Sequence, residues 1–128
     1  MTVYRNCFRF RNYHVVFTLP HSLNDLALCN KEVIYDLFFK AAVYTLNAFS
    51  HDLKYLLTQL GFYGILHTWG QKLTYHIHIH FFVTGGGLAF DNGGFKRLPC
   101  HKEFIFPVKA MSRTIRGRFI KLFKQALD

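Results

Sequence analysis

The sequence predicts an α+β domain, with helices packed on one face of a largely antiparallel sheet. Three observations carry this expectation. The apolar patterning runs in the order strand, helix, strand, strand, short hairpin, strand, helix. Strands joined by hairpin turns cannot all be parallel. The first long helix has one broad apolar face, which suits packing on a sheet. A ferredoxin-like arrangement is the commonest layout with these properties.

The elements follow from local chemistry. Tyr13 to Leu19 (YHVVFTL) is β-branched, aromatic and apolar on both faces, so it predicts a central strand that Pro20 stops. Asn30 can cap a helix from Lys31 to about Phe49. Glu32, Asp36, Lys40 and Asn47 lie near one face, with Asp36 and Lys40 spaced as a favourable pair. Val33, Ile34, Leu37, Phe38, Ala41, Ala42, Leu46 and Phe49 fill the rest. Asp52 can cap a shorter helix holding Leu53, Leu56, Leu57 and Leu60, with Gly61 as its C-terminal cap. Strands are expected over Phe62 to Trp69 and Thr74 to Val83, the second broken by Gly85, Gly86 and Gly87. Leu88 to Phe90 and Phe95 to Leu98 flank Asp91-Asn92-Gly93-Gly94, a hairpin signal. Phe104 to Val108 predicts an edge strand, because Pro107 cannot donate to a ladder. A last helix opens at Ser112, with an apolar stripe of Ile115, Phe119, Leu122, Phe123 and Ala126 and basic faces carrying Arg113, Arg116, Lys121 and Lys124.

The 128 residues fit one domain, spanning 1–128. Half of them are hydrophobic, which excludes a disordered chain. Cys7, Cys29 and Cys100 are odd in number and far apart, which argues against a disulfide framework and a CxxC zinc site. No targeting signal and no apolar run of membrane-spanning length is present, so the expected location is the cytoplasm, with no membrane partner. The net charge of +9 favours a polyanionic partner.

The informative segment is Thr74 to Phe82. Alternation puts Thr74, His76, His78, His80 and Phe82 on one face and Tyr75, Ile77, Ile79, Phe81 and Val83 on the other. The apolar set belongs beneath the helices. The other face then shows three imidazoles with Cα atoms about 6.5 to 7 Å apart. Neighbouring imidazoles at this spacing can reach one metal ion. A tight turn after Trp69 would pair residue 67 with 76, 65 with 78 and 63 with 80. His67 then joins the histidine face opposite His76, and Tyr63 stands opposite His80. Gln71 is an alternative third ligand through its amide oxygen. A lone strand histidine is ordinarily a surface or satisfied core residue. Three in alternation, with a fourth across the hairpin, favour a metal site on His78, His80 and His67.

His78-Ile79-His80 is the His-hydrophobic-His signature of HUH single-strand endonucleases, which the sequence resembles here. Tyr13 to Pro20 looks like the first motif of rolling-circle initiators. His67-Thr68-Trp69-Gly70-Gln71, His76 to His80, Gly85-Gly86-Gly87-Leu88, Pro107 to Arg113 and Arg116-Gly117-Arg118-Phe119 resemble the two-tyrosine rolling-circle transposases of bacterial insertion sequences. The likeness covers nearly the whole chain from Tyr13. It implies DNA transposition: a divalent ion (Mn²⁺ or Mg²⁺, with Zn²⁺ as an alternative) on the HUH pair, single-stranded insertion-sequence ends as partner, and a tyrosine that cleaves and holds the strand. It also implies DNA contacts from the basic helix at Arg113, Arg116 and Lys121. The family's tyrosine pair lies on a helix downstream of the matching region, and no Tyr follows Tyr75 here. Its zinc module precedes the first strand. The sequence therefore reads as the central part of such a transposase, binding metal and DNA but lacking its nucleophile.

Two readings from other classes stand beside this one. A metal-dependent hydrolase would use a metal-bound water at the same face, with Asp91 the nearest downstream carboxylate in sequence. A non-catalytic nucleic-acid-binding module would show aromatics on the open sheet face, where this reading puts histidines.

Overall fold

The computed structural model describes the backbone of residues 2–7, 12–51, 59–69, 75–91, 94–99 and 107–128, and the side chains of 13–51, 61–69, 75–84 and 107–128. In chain order these form β1 (Thr2–Cys7), β2 (Asn12–Thr18), a 3-10 turn (His21–Leu23), α1 (Asn24–Cys29), α2 (Lys31–His51), β3 (Gln59–Trp69), β4 (Tyr75–Asp91), β5 (Gly94–Pro99) and α3 (Val108–Leu127). The α+β expectation holds. The sheet runs β1-β2-β4-β3, with β5 also paired to β4, and every pairing is antiparallel. β2 and β3 are therefore parallel to each other with β4 between them. With α2 as the crossover, this is the split βαβ unit of ferredoxin-like folds.

The core lies between the sheet and the helices. Tyr13, Val15, Phe17 and Leu19 alternate into it from the β2 segment, and Ile77, Ile79, Phe81 and Val83 from β4. Ile34, Leu37, Phe38, Ala41, Ala42, Leu46 and Phe49 meet them from α2, and Met111, Ile115 and Phe119 from α3. Phe17, Phe62 and Phe39 all pack their rings on Phe81. Gly64 pairs with Phe81 across the ladder, and any side chain at 64 would collide with that ring. The Lys40 ammonium meets the Asp36 carboxylate at 2.8 Å on the exposed side of α2. An open pair of this kind adds only a few tenths of a kcal/mol. Val33 is half exposed rather than part of the apolar face.

Several expectations need correction. β1 was not anticipated, because its pairing with β2 is a tertiary contact that the six residues do not announce. α1 was also missed. The Asn24 side-chain amide donates to the Tyr75 carbonyl at 2.9 Å, tying α1 to β4. Leu60 and Gly61 belong to β3, not to a helix end, and residues 52–58 lie outside the described set. Gly61 sits where the β3–β4 register shifts, and its N–H donates to the Thr84 hydroxyl at 3.0 Å. Gly85 to Gly87 do not break β4. Gly87 and Leu88 pair with β3 on one side and β5 on the other, and two ladders outweigh the entropic cost of glycine. Asp91 pairs with Gly94, as the hairpin signal requires. Val108 opens α3 rather than ending a strand, four residues before the expected Ser112. Pro107 is its N-cap, where a missing N–H costs no helical hydrogen bond. Residues 104–106 lie outside the described set. No helix among the described residues is long and apolar enough to cross a membrane.

Candidate metal centre

The face of the sheet opposite the helices carries the histidines. On β4, with Ile77, Ile79 and Phe81 turned inward, His76, His78, His80 and Phe82 turn out. On β2 the outward set is His14, Val16 and Thr18, and on β3 it is Tyr63, Ile65 and His67. His67 pairs with His78, Ile65 with His80 and Tyr63 with Phe82. The expected pairing was two residues different. From Trp69–Tyr75 to His67–His78 the ladder advances two residues on β3 and three on β4. This irregularity moves the register, yet the net slip is even, so His67 keeps the expected face. Tyr63 no longer opposes His80.

His67, His78 and His80 each offer a ring nitrogen, and these atoms lie within 4.8 Å of one another. The Nε2 atoms of His67 and His78 are in direct contact. The His67 ring centroid lies 4.5 Å from that of His80. His80 Nδ1 is 2.9 Å from His14 Nε2. With the proton on Nδ1 and donated to His14, the remaining lone pair belongs to His80 Nε2. That atom is buried and has no hydrogen-bond partner. An orphaned buried acceptor beside two further imidazole nitrogens fits a divalent ion with nitrogen ligands at about 2.0–2.1 Å, after slight ring adjustment. Sequence reasoning missed His14. The signal was available, because placing Tyr13 and Val15 in the core turns His14 to the histidine face.

His76 shares the face but not the trio. Its Nδ1 meets His21 Nε2 at 3.0 Å, at the far end of the row. Gln71 lies outside the described residues. Arg113, Arg116 and Lys121 are exposed on α3, whose buried side joins the core between helices and sheet. The basic helix is thus in the opposite layer from the histidines, and the structure does not bring the two candidate sites together. The open face holds more than histidines. Tyr63, Ile65 and Trp69 are each more than half exposed along β3.

Burial, followed by the neighbouring His67, His80 and His76 rings, pushes His78 down to about 4. Burial, then His67 and His14, lowers His80, and burial lowers His14. These rings are therefore neutral near pH 7, the form that a metal ion binds. The sign for stability follows. Each folded value lies below the unfolded 6.5, so the unfolded chain takes up protons first as pH falls. The associated stability is complete above about pH 6.5 and is lost on descending toward 4. Solvent screens partly exposed rings, so a metal-free sample is expected to lose roughly 5 °C of melting temperature between pH 7 and pH 5. His78→Gln should flatten the profile. An equally steep profile in that variant would contradict the assignment.

A family model described as "Putative transposase" matches residues 61–128. "Putative transposase y4qJ" of Sinorhizobium fredii (strain NBRC 101917 / NGR234) is 40% identical over 116 residues, covering 91% of this chain and 29% of that protein. "Transposase for insertion sequence element IS801" of Pseudomonas savastanoi pv. phaseolicola is 40% identical over 90 residues, covering 70% of this chain and 21% of that protein. The chain thus spans less than a third of the length of these two relatives. No solved structure matches it.

Proposed function

We propose, from the premise that this chain belongs to the transposase family matching residues 61–128, that its histidine face is the metal-binding part of a DNA strand-transfer site. The carrying observation is the trio His67, His78 and His80, with the orphaned Nε2 of His80 among its donors. A divalent ion, when bound, supplies a Lewis acid for a phosphoryl oxygen.

The chain's own residues do the rest. Three neutral imidazoles hold a cation without neutralising it, and the cluster itself contains no carboxylate. The charge left over favours an anionic oxygen, such as one from a phosphodiester, in the open position. Donation from His80 Nδ1 to His14 Nε2 would hold His80 in the tautomer that leaves Nε2 unprotonated. Nitrogen ligands favour Mn²⁺ or Zn²⁺ over Mg²⁺, which prefers oxygen. Basic residues across the chain, which carries a net +9, attract the DNA backbone. The partner is single-stranded DNA at insertion-sequence ends, and the cleavage proceeds through a tyrosine outside this cluster.

The test is a binding series with one labelled oligonucleotide and its duplex. The single strand should bind more tightly. With about four phosphate contacts, affinity should fall roughly 50-fold between 50 and 200 mM salt. A flat salt response or a clear preference for duplex would defeat the proposal.

A further inference from the structure

The histidine trio occupies only the middle of its sheet face. Along β3, which ends the strand order, Tyr63 is 61% exposed, Ile65 56% and Trp69 57%. Water-facing apolar groups of this size on one strand are costly unless something covers them. Both aromatic rings are held from behind. Tyr63 stacks on Phe82, with centroids 5.2 Å apart and planes 21° apart, and Phe82 stacks on His14 at 5.1 Å and 11°. Trp69 stacks on the metal-ligand candidate His67 at 4.6 Å and 14°. Each ring is thus pre-oriented while keeping a large area in water.

We infer that Trp69 and Tyr63 are stacking shelves for unpaired nucleobases on either side of the histidine trio, with Ile65 as apolar floor between them. This rests on the reading of the face as a DNA site. Charge and spacing select the occupant. A cation on three neutral imidazoles attracts phosphate, and the chain as a whole carries +9. Trp69 is one two-residue step from His67 and Tyr63 is two such steps the other way, about 7 and 13 Å along the strand. An extended nucleic-acid strand alternates phosphate and base, so a phosphate at the trio leaves bases on both sides to meet flat rings. Stacking of this kind needs a free π-face, which a base inside a duplex lacks. The shelves therefore supply a structural reason for single-strand preference, one that the basic charge alone does not. An apolar protein surface would not need the alternation of cation and ring.

Trp69 is the sole tryptophan, so its fluorescence reports on one shelf directly. The experiment uses the full chain, an oligothymidine, the same oligonucleotide with abasic sites, and inorganic polyphosphate as a bare anion. Oligothymidine should quench Trp69 and polyphosphate should not. Tyr63→Ala and Trp69→Ala should each weaken oligothymidine binding roughly tenfold, whereas Trp69→Phe should keep most of the affinity. The abasic strand should bind the wild type and Tyr63→Ala alike. Mn²⁺ affinity of Tyr63→Ala should match wild type, which shows that the variant is folded. If oligothymidine binds in a salt-dependent way but all three variants bind equally and Trp69 stays silent, the shelves are wrong and the DNA reading survives. If the wild type binds no single strand, both fall.

Discussion

Replacing His78 and His80 together by alanine is expected to lower Mn²⁺ or Zn²⁺ affinity by roughly a thousandfold or more, because two of three imidazole donors are lost. Wild type should titrate to one equivalent. His67→Ala should weaken binding less than the double change. His14→Ala should weaken it by roughly 10–100-fold without removing a ligand, since it frees His80 to rotate and to choose the wrong tautomer. These side chains sit on the open face rather than in the core, so the variants should keep the fold, which circular dichroism can verify. Equal metal affinity in wild type and the double variant would remove the metal centre from the proposed function. An undiminished His14→Ala would leave the centre in place but deny His14 its orienting part.

The pattern of these results depends on a register that only the folded chain shows. Strict alternation in Tyr75 to Val83 made the division between core and open face readable from residue types alone. The apolar residues on both faces of Tyr13 to Leu19 marked a central strand, and β2 is one. What alternation does not carry is which residue stands opposite which. Trp69 pairs with Tyr75 rather than Thr74, a slip of one, and the irregularity between His67 and Trp69 adds a second, which moves His67 from His76 to His78. The slip was harmless to the face because it was even. A slip of one residue would have put His67 in the core.

Glycine and proline misled for a common reason. Their local preferences are real, but each is a small free energy that neighbouring strands or a helix end can reverse. Gly86 pairs with β5 and Gly87 with both β3 and β5, and Gly61 lies at a register shift in β3 rather than at a helix end. Pro107 starts α3 because a helix start is as tolerant of proline as a sheet edge is. Tyr63 was expected on the histidine face, but how exposed it and Trp69 are was not legible, for a different reason. Tyr63 and Trp69 are typical strand residues, and a sequence does not reveal which side of a hairpin remains uncovered. The face of His14 follows from Tyr13 and Val15 in the core, but its partner follows only from β2 and β4 being neighbours, which places its ring beside His80.

The 128-residue chain, incubated with end-labelled single-stranded DNA and Mn²⁺ or Mg²⁺, is expected to bind the strand yet give no covalent protein–DNA band on a denaturing gel. The resemblance puts the attacking tyrosine on a helix downstream of the matching region, and these residues hold no tyrosine after Tyr75. The described tyrosines are poorly suited to the part. Tyr13 is in the core. The Tyr35 and Tyr75 hydroxyls bond each other, and burial with that bond pushes Tyr75 up to about 12, so its phenolate is scarce. The Tyr44 ring packs under the Arg118 guanidinium at 4.3 Å. Tyr63 opposes Phe82, two strand steps from His67, although its exposure makes it the first alternative. Positioning a nucleophile contributes on the order of 7–11 kcal/mol, so a stray water should leave only slow cleavage. Fusing a relative's downstream segment with its tyrosines should produce an adduct that disappears in His78→Ala and His80→Ala. A covalent band from the 128 residues alone, abolished by Tyr63→Phe, would move the nucleophile into this sheet and refute its absence. Multiple-turnover hydrolysis with no band would favour a metal-bound water as nucleophile, and the face would then be that of a hydrolase.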